Sequence, residues 1–148
     1  MAFKPFDLSG KAAVVTGGNG GIGLGMAEGL AAAGADIAIW GRNARKNAAA
    51  LETLEKYGTK ISALEVDVAD EQAVVDAMAE SLSRLGRIDC AIANAGVGGG
   101  APLTQQTTEQ WRKVTTVNLD AVFWTFREAA KHMVERSENG DKGGSLLV

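Results

Sequence analysis

The chain has 148 residues, with 15 Lys+Arg against 18 Asp+Glu and a formal charge of −3. That length predicts one domain, 1–148, and 46% hydrophobic with 22% charged residues is ordinary for a packed core. The balance supplies no basic face for nucleic acid. The one cysteine, Cys90, and one histidine, His132, supply neither an internal disulfide nor a His-rich metal cluster. The early charge-free run from Ala12 to Ala27 is shorter than the ~20 residues of a membrane span and holds six glycines. No basic-then-apolar leader opens the chain, so a soluble protein of a reducing, cytoplasmic compartment is expected.

In chain order, Ala12 to Thr16 is an apolar run between glycines and reads as a buried strand. Gly21 to Ala33 follows as a helix, with Ile22, Met26 and Leu30 expected on its buried face and Gly34 as its stop. Asp36 to Trp40 is strand two. Asn43 caps a helix running to about Tyr57, stopped by Gly58. Ile61 to Val68 is strand three. Asp70 caps a third helix striped by Val74, Met78, Leu82 and Leu85, ending at Gly86. Ile88 to Ala93 is strand four, followed by a glycine-rich loop from Gly96 to about Thr107. Thr108 is the expected cap of a helical region carrying Trp111, Val114, Thr115 and Leu119. A further helix, Ala121 to Arg136, carries Phe123, Phe126, Ala130 and Met133 or Val134. Trp111, Trp124 and Phe126 are read as core or interface packing. Ser145 to Val148 starts a fifth strand inside which the chain stops.

Apolar strands alternating with helices predict βαβ units and a parallel sheet covered on both faces. The glycines concentrate where chemistry is expected. Seven of the 19 lie between Gly17 and Gly29, and four between Gly96 and Gly100. In Thr16-Gly-Gly-Asn-Gly-Gly-Ile-Gly23 they fall between a predicted strand and a predicted helix. Gly17 permits a tight turn there. Gly21 lets N–H groups near Asn19 and Ile22 approach a pyrophosphate, and Gly23 lets the helix pack near the strand. The helix start then offers unpaired N–H groups to an anion.

The spacing Thr-Gly-x-x-x-Gly-x-Gly resembles the short-chain dehydrogenase/reductase family. Further landmarks follow in the family's order: Asp67-Val68 after strand three, Asn94-Ala-Gly96 after strand four (with Ala93 where the family has a first Asn), Val117-Asn118-Leu119, and Gly144 to Val148. The resemblance covers the chain from about Leu8. It implies a Rossmann fold, a doubly wound parallel sheet of order 3-2-1-4-5 cut short in strand five. It also implies hydride transfer between a nicotinamide cofactor and a small carbonyl or alcohol substrate, and a homo-oligomer formed through the Ala121 to Arg136 helix. Asp67 would accept from the adenine amino group, with Val68 pairing to a ring nitrogen. Asn94 would hold a ribose, Gly96 would border the site, and Asn118 would be the catalytic asparagine of a proton relay. The residues alone leave bland readings open: a turn-capping Asp67, an Asn94 that stitches strands, and a locally satisfied Asn118.

The resemblance also exposes a gap. The family's catalytic serine and Tyr-x-x-x-Lys are absent from this chain. The sole tyrosine, Tyr57, has Lys60 three residues on. The chain alone is therefore expected to bind cofactor without turnover. For cofactor choice, an acid after strand two suits NAD, and an arginine suits the 2′-phosphate of NADP. Gly41-Arg42 stands there, with Arg45 close by. NADP is expected, with NAD the alternative and a solvated turn charge the bland reading of Arg42. Two other functions fit the glycine turn. One is a non-catalytic dinucleotide-binding sensor. The other is an S-adenosylmethionine-dependent methyltransferase, which Gly41-Arg42 disfavours.

Overall fold

A computed structural model describes residues 6–148. Residues 1–5, on which the leader reading partly rests, lie outside the described residues. The elements are β1 (Ala12–Thr16), α1 (Gly21–Ala32), β2 (Asp36–Gly41), α2 (Ala44–Glu55), β3 (Ile61–Glu65), α3 (Glu71–Leu85), β4 (Cys90–Ala93), α4 (Thr108–Thr115), α5 (Ala121–Glu138) and β5 (Ser145–Leu147). All strand pairings are parallel, and the sheet order is β3-β2-β1-β4-β5. The doubly wound arrangement read from the sequence is the one observed.

Alternation along each strand divides the core into two layers. Ala12, Val14, Ala38, Trp40 and Ala91 pack with Val74, Met78 and Leu85 of α3 and Ala121, Ala129 and Met133 of α5. Ala13, Val15, Ile37, Ile39 and Ile92 pack with Ala27 and Ala31 of α1 and Ala50 and Leu54 of α2. Trp40 is fully buried, and its indole N–H donates to Ser81 Oγ at 3.0 Å. The Ser81 hydroxyl donates onward to Ala77 O at 2.7 Å, so this polar pair is satisfied inside the core.

Capping follows the sequence in α2 and α3. Asn43 Oδ1 accepts from Lys46 N at 2.9 Å, and Asp70 Oδ1 accepts from Gln72 N and Ala73 N. In α4 the cap is Thr107 rather than Thr108, through a reciprocal box with Gln110. That box satisfies two otherwise orphaned N–H groups, which Thr108 could not do with Trp111 at its third position. Strand three stops at Glu65 instead of Val68, although Val66 N still donates to Gly41 O. Strand four begins at Cys90.

The expected faces of two helices are corrected. α1 buries Gly23, Ala27 and Ala31, whereas Ile22 is 75% exposed. The helix lies so close to β1 that only small residues fit between them, and bulk is turned outward. α5 buries Ala121, Thr125, Ala129 and Met133, while Phe123 faces out and Phe126 is half-buried. Trp111 is likewise exposed and not core, and Trp124 packs at the core's margin.

The amino end of β4 is tied by ion pairs to Arg87 and to Arg136 of α5. Asp89 accepts from Arg87 at 2.6 and 2.7 Å and from Ala12 N at 3.0 Å, and it lies 3.2 Å from Arg136 Nη1. Burial pushes the Asp89 carboxyl up. The Arg87 hydrogen bonds, the Ala12 N–H and the Arg136 charge outweigh it and hold the carboxyl down at about 2, from an ordinary 3.8. A depressed carboxylate stabilises the fold above its unfolded pKa, and that stabilisation is lost as pH falls from about 4 through 2. Asp89→Asn is expected to remove about 2 kcal/mol at neutral pH and to flatten the acid limb of stability. Urea midpoints from pH 2 to 7 measure it. An unchanged acid slope in the variant would contradict this account.

Candidate nucleotide-binding site

The carboxyl ends of β1, β2 and β4 converge on a cavity of about 260 Å³. Its lining includes Gly17, Asn19, Gly41, Arg42, Asp67, Val68, Asn94 and Gly96. In an open parallel sheet this is the crevice where strand order reverses, the usual ligand position.

The turn between β1 and α1 forms one wall. Gly17 has φ +66°, a conformation that L side chains rarely adopt, and its N–H donates to Trp40 O at 2.8 Å. The cap position of α1, Gly20, is extended, and no side chain caps this helix or places an acid in its first turn. α2, α3 and α4 each have a side-chain cap. The first-turn N–H groups of α1 are thus left to an anion or to water. Gly23 sits over Gly17, where a Cβ would overlap the Gly17 carbonyl and the Asn94 amide.

Asn94 stitches β4 to β1. Its Nδ2 donates to Thr16 O at 3.0 Å and to Gly17 O at 3.4 Å, and Thr16 Oγ1 accepts from Ala95 N at 2.9 Å. The glycine turn is therefore held from β4 as well as from β2. Asp67 Oδ1 accepts from Ala69 N at 3.0 Å, a turn-capping bond. Val68 is buried against the core, and its N–H has no acceptor among the described residues. Arg42 is exposed at the cavity mouth and makes no ion pair among the described residues. A polar recess there is lined by Asn19, Arg42, Asn43 and Lys46. Lys46, rather than Arg45, is the second cation beside Arg42.

Asn118 lies outside this cavity, in a neighbouring one of about 360 Å³ that shares Asn94 and Gly96 and reaches Met26 and Leu147. It stands in a π turn, residues Thr116–Asp120, between α4 and α5. Ala121 N–H donates there to Thr116 O, five residues back. Its carboxamide is exposed rather than core. Oδ1 accepts from Val97 N and Nδ2 donates to Val97 O, both at 2.9 Å, which pins the loop after β4.

The sequence reading missed Asn47. It interrupts the buried stripe Asn47, Ala50, Leu54 of α2, and a polar residue in an apolar stripe was the available signal. Cys90 opens at the opposite end of the sheet, where burial first and then the Asp89 charge push its thiol up, away from nucleophile behaviour. Among the described residues no group of three His, Cys, Asp or Glu could hold a metal, and no helix is long and apolar enough to cross a membrane.

Sheet order, glycine turn and crevice define a Rossmann-type domain with a site suited to a dinucleotide. A family model for short chain dehydrogenases matches residues 11–143, and the chain belongs to that family. It is 40% identical over 131 residues to gluconate 5-dehydrogenase of Gluconobacter oxydans, covering 88% of this chain and 51% of that protein. It is 38% identical over 145 residues to a sorbose reductase of Candida albicans, covering 97% and 50%. A short chain dehydrogenase from Burkholderia cenocepacia in complex with NADP superposes with a TM-score of 0.82 at 35% identity, covering 85% of this chain and 52% of that one. An NAD+-bound xylitol dehydrogenase superposes with a TM-score of 0.87 at 27% identity, covering 94% and 52%. The chain spans about half the length of these relatives.

Proposed function

We propose that this chain is the nucleotide-binding portion of an NADP(H)-dependent short-chain oxidoreductase acting in the cytoplasm on a small carbonyl or alcohol substrate. The observation that carries the cofactor choice is Arg42, a guanidinium without an ion pair among the described residues, beside a strand end, Gly41, that bears no carboxylate. A guanidinium grips a phosphate with a fork of donors, whereas an acid at that place would repel it. Similar folds hold either NADP or NAD+, so the choice rests on these side chains.

The residues present fit the dinucleotide. The N–H groups of Gly21, Ile22 and Gly23 face the diphosphate without a competing side-chain cap, and Gly17 shapes the turn that brings them there. Asn19 and Arg42 meet the adenosine ribose and its 2′-phosphate. Asp67 has one oxygen left for the adenine amino group, Val68 has a free N–H for a ring nitrogen, and Asn94 and Gly96 shape the ribose wall. A bound nicotinamide would supply or take the hydride at the substrate carbon. Asn118 would orient a water in the proton path, from a loop that it holds in place. No Tyr-x-x-x-Lys occurs in the 148 residues, and this chain alone is expected to bind without turning over. Titration with NADPH and NADH tests the reading, and equal affinity for both would end the NADP assignment. Robust dehydrogenase activity of this chain would overturn the inactivity.

We infer homo-oligomerisation through the α4–α5 side, where Trp111, Leu119 and Phe123 are exposed at 57%, 64% and 59%. Two aromatic rings and a leucine exposed to water along this stretch of α4 and α5 suit a second copy of the same face. Sedimentation of the full chain should show an oligomer, and Phe123→Glu should shift it to monomer without unfolding. A monomeric parent at micromolar concentration would refute the assignment.

A further inference from the structure

Asn47 is 5% exposed, and a buried carboxamide must find partners for its donors and its acceptor. Its nitrogen donates to Gly41 O at 2.9 Å and to Leu64 O at 3.0 Å, which uses both N–H groups and ties the ends of β2 and β3. Its oxygen is thereby turned the other way, toward Asn19, and only a donor can meet it. Asn19 Nδ2 does so at 2.7 Å. The direction of one amide fixes the direction of the next. Asn19 Oδ1 is left without a partner among the described residues, on a side chain that lines both the main cavity and the Arg42 recess. The bridge also fills the space beside Gly41, where a Cβ would lie 2.7 Å from Asn47 Oδ1 and overlap the Asn19 amide.

The geometry points to Asn47 as a positioning residue: its buried amide orients Asn19 so that an acceptor oxygen faces the cleft beside Arg42, where it accepts a hydrogen bond from a ribose hydroxyl. This rests on the dinucleotide reading above. The two asparagines act as one unit. The acceptor serves the sugar hydroxyl, and the guanidinium serves the phosphoryl group. The same bridge keeps the strand end bare, because any side chain at position 41 must displace it.

Two measurements on the full chain test this. In the ligand-free protein, the Asn19 side-chain N–H₂ resonances should be shifted and slow to exchange, and Asn47→Ala should return them to free-amide values. NADPH binding by Asn47→Ala, Asn19→Ala and the double variant forms a cycle. Each single change should weaken binding about 5-fold, the size of one uncharged hydrogen bond, and the double variant should be no weaker than Asn19→Ala. An Asn47 that supports binding independently of Asn19 would give multiplying losses, about 25-fold, and that result overturns the inference. Unaltered NADPH binding by Asn47→Ala does the same. If that variant does not fold, the parent resonances decide, and a fast-exchanging, unshifted Asn19 amide refutes the bridge. A parent with the bonded amide but no affinity for NADPH overturns the dinucleotide reading and this role with it. A parent that binds while the cycle is additive overturns this role alone.

Discussion

Gly23→Val is expected to cost about 3 kcal/mol or more of folding stability and to abolish nucleotide binding in whatever remains folded. A Cβ at this position would lie 2.9 Å from the Gly17 carbonyl carbon and would overlap both the carbonyl oxygen and the Asn94 amide. The obstruction is largely backbone, so no rotamer change relieves it. α1 would have to lift from β1, breaking the Asn94 bonds to Thr16 O and Gly17 O that set the turn. Gly23→Ala should show a smaller loss of about 1–3 kcal/mol. The control lies two residues on in the same helix. A Cβ at Gly25 meets nothing within 4 Å, and Gly25→Ala should be neutral or gain up to about 1 kcal/mol from helix propensity. Chemical denaturation of the three variants decides, and similar behaviour of Gly23→Ala and Gly25→Ala would sink the close-packing account.

Arg42→Ala is expected to weaken NADPH binding by about 30–100-fold while changing NADH affinity less than about 2-fold. The difference arises because only NADPH carries the phosphoryl group that the guanidinium meets. A charge-assisted bond at a partly screened site has this magnitude. Arg42→Lys should recover part of the loss, since it keeps the charge and gives up the planar fork. Lys46 lines the same recess, so rising salt should weaken NADPH binding in the parent more than in Arg42→Ala. Isothermal titration with both nucleotides measures each arm. An equal loss for NADH and NADPH would mean that Arg42 supports the loop and reads no phosphate.

The same two positions illustrate how far the amino-acid order alone reaches. Strand and helix order, the βαβ alternation, the caps at Asn43 and Asp70, and the place of the glycine turn were legible in it. These depend on local periodicity and on residues acting within a few positions of themselves. Each family landmark is a short contiguous motif, so Gly17, Asp67, Asn94 and Asn118 could be named as candidates before any fold was known, and Arg42 followed from the missing acid after strand two.

What lay outside its reach was decided across the sheet. Hydrophobicity favoured Ile22 and Met26 as the inner face of α1, but the separation of α1 from β1 admits only Gly23, Ala27 and Ala31. Asn118 read as a buried amide, yet the π turn rotates it onto Val97, 21 residues away. Asn47 and Asn19 are separated by 28 positions and meet because α2 packs over the carboxyl end of β2. A one-dimensional pattern records which residues can be apolar or polar. Which of them touch is set by the closeness of packed backbones, and that distance exists only in the folded chain.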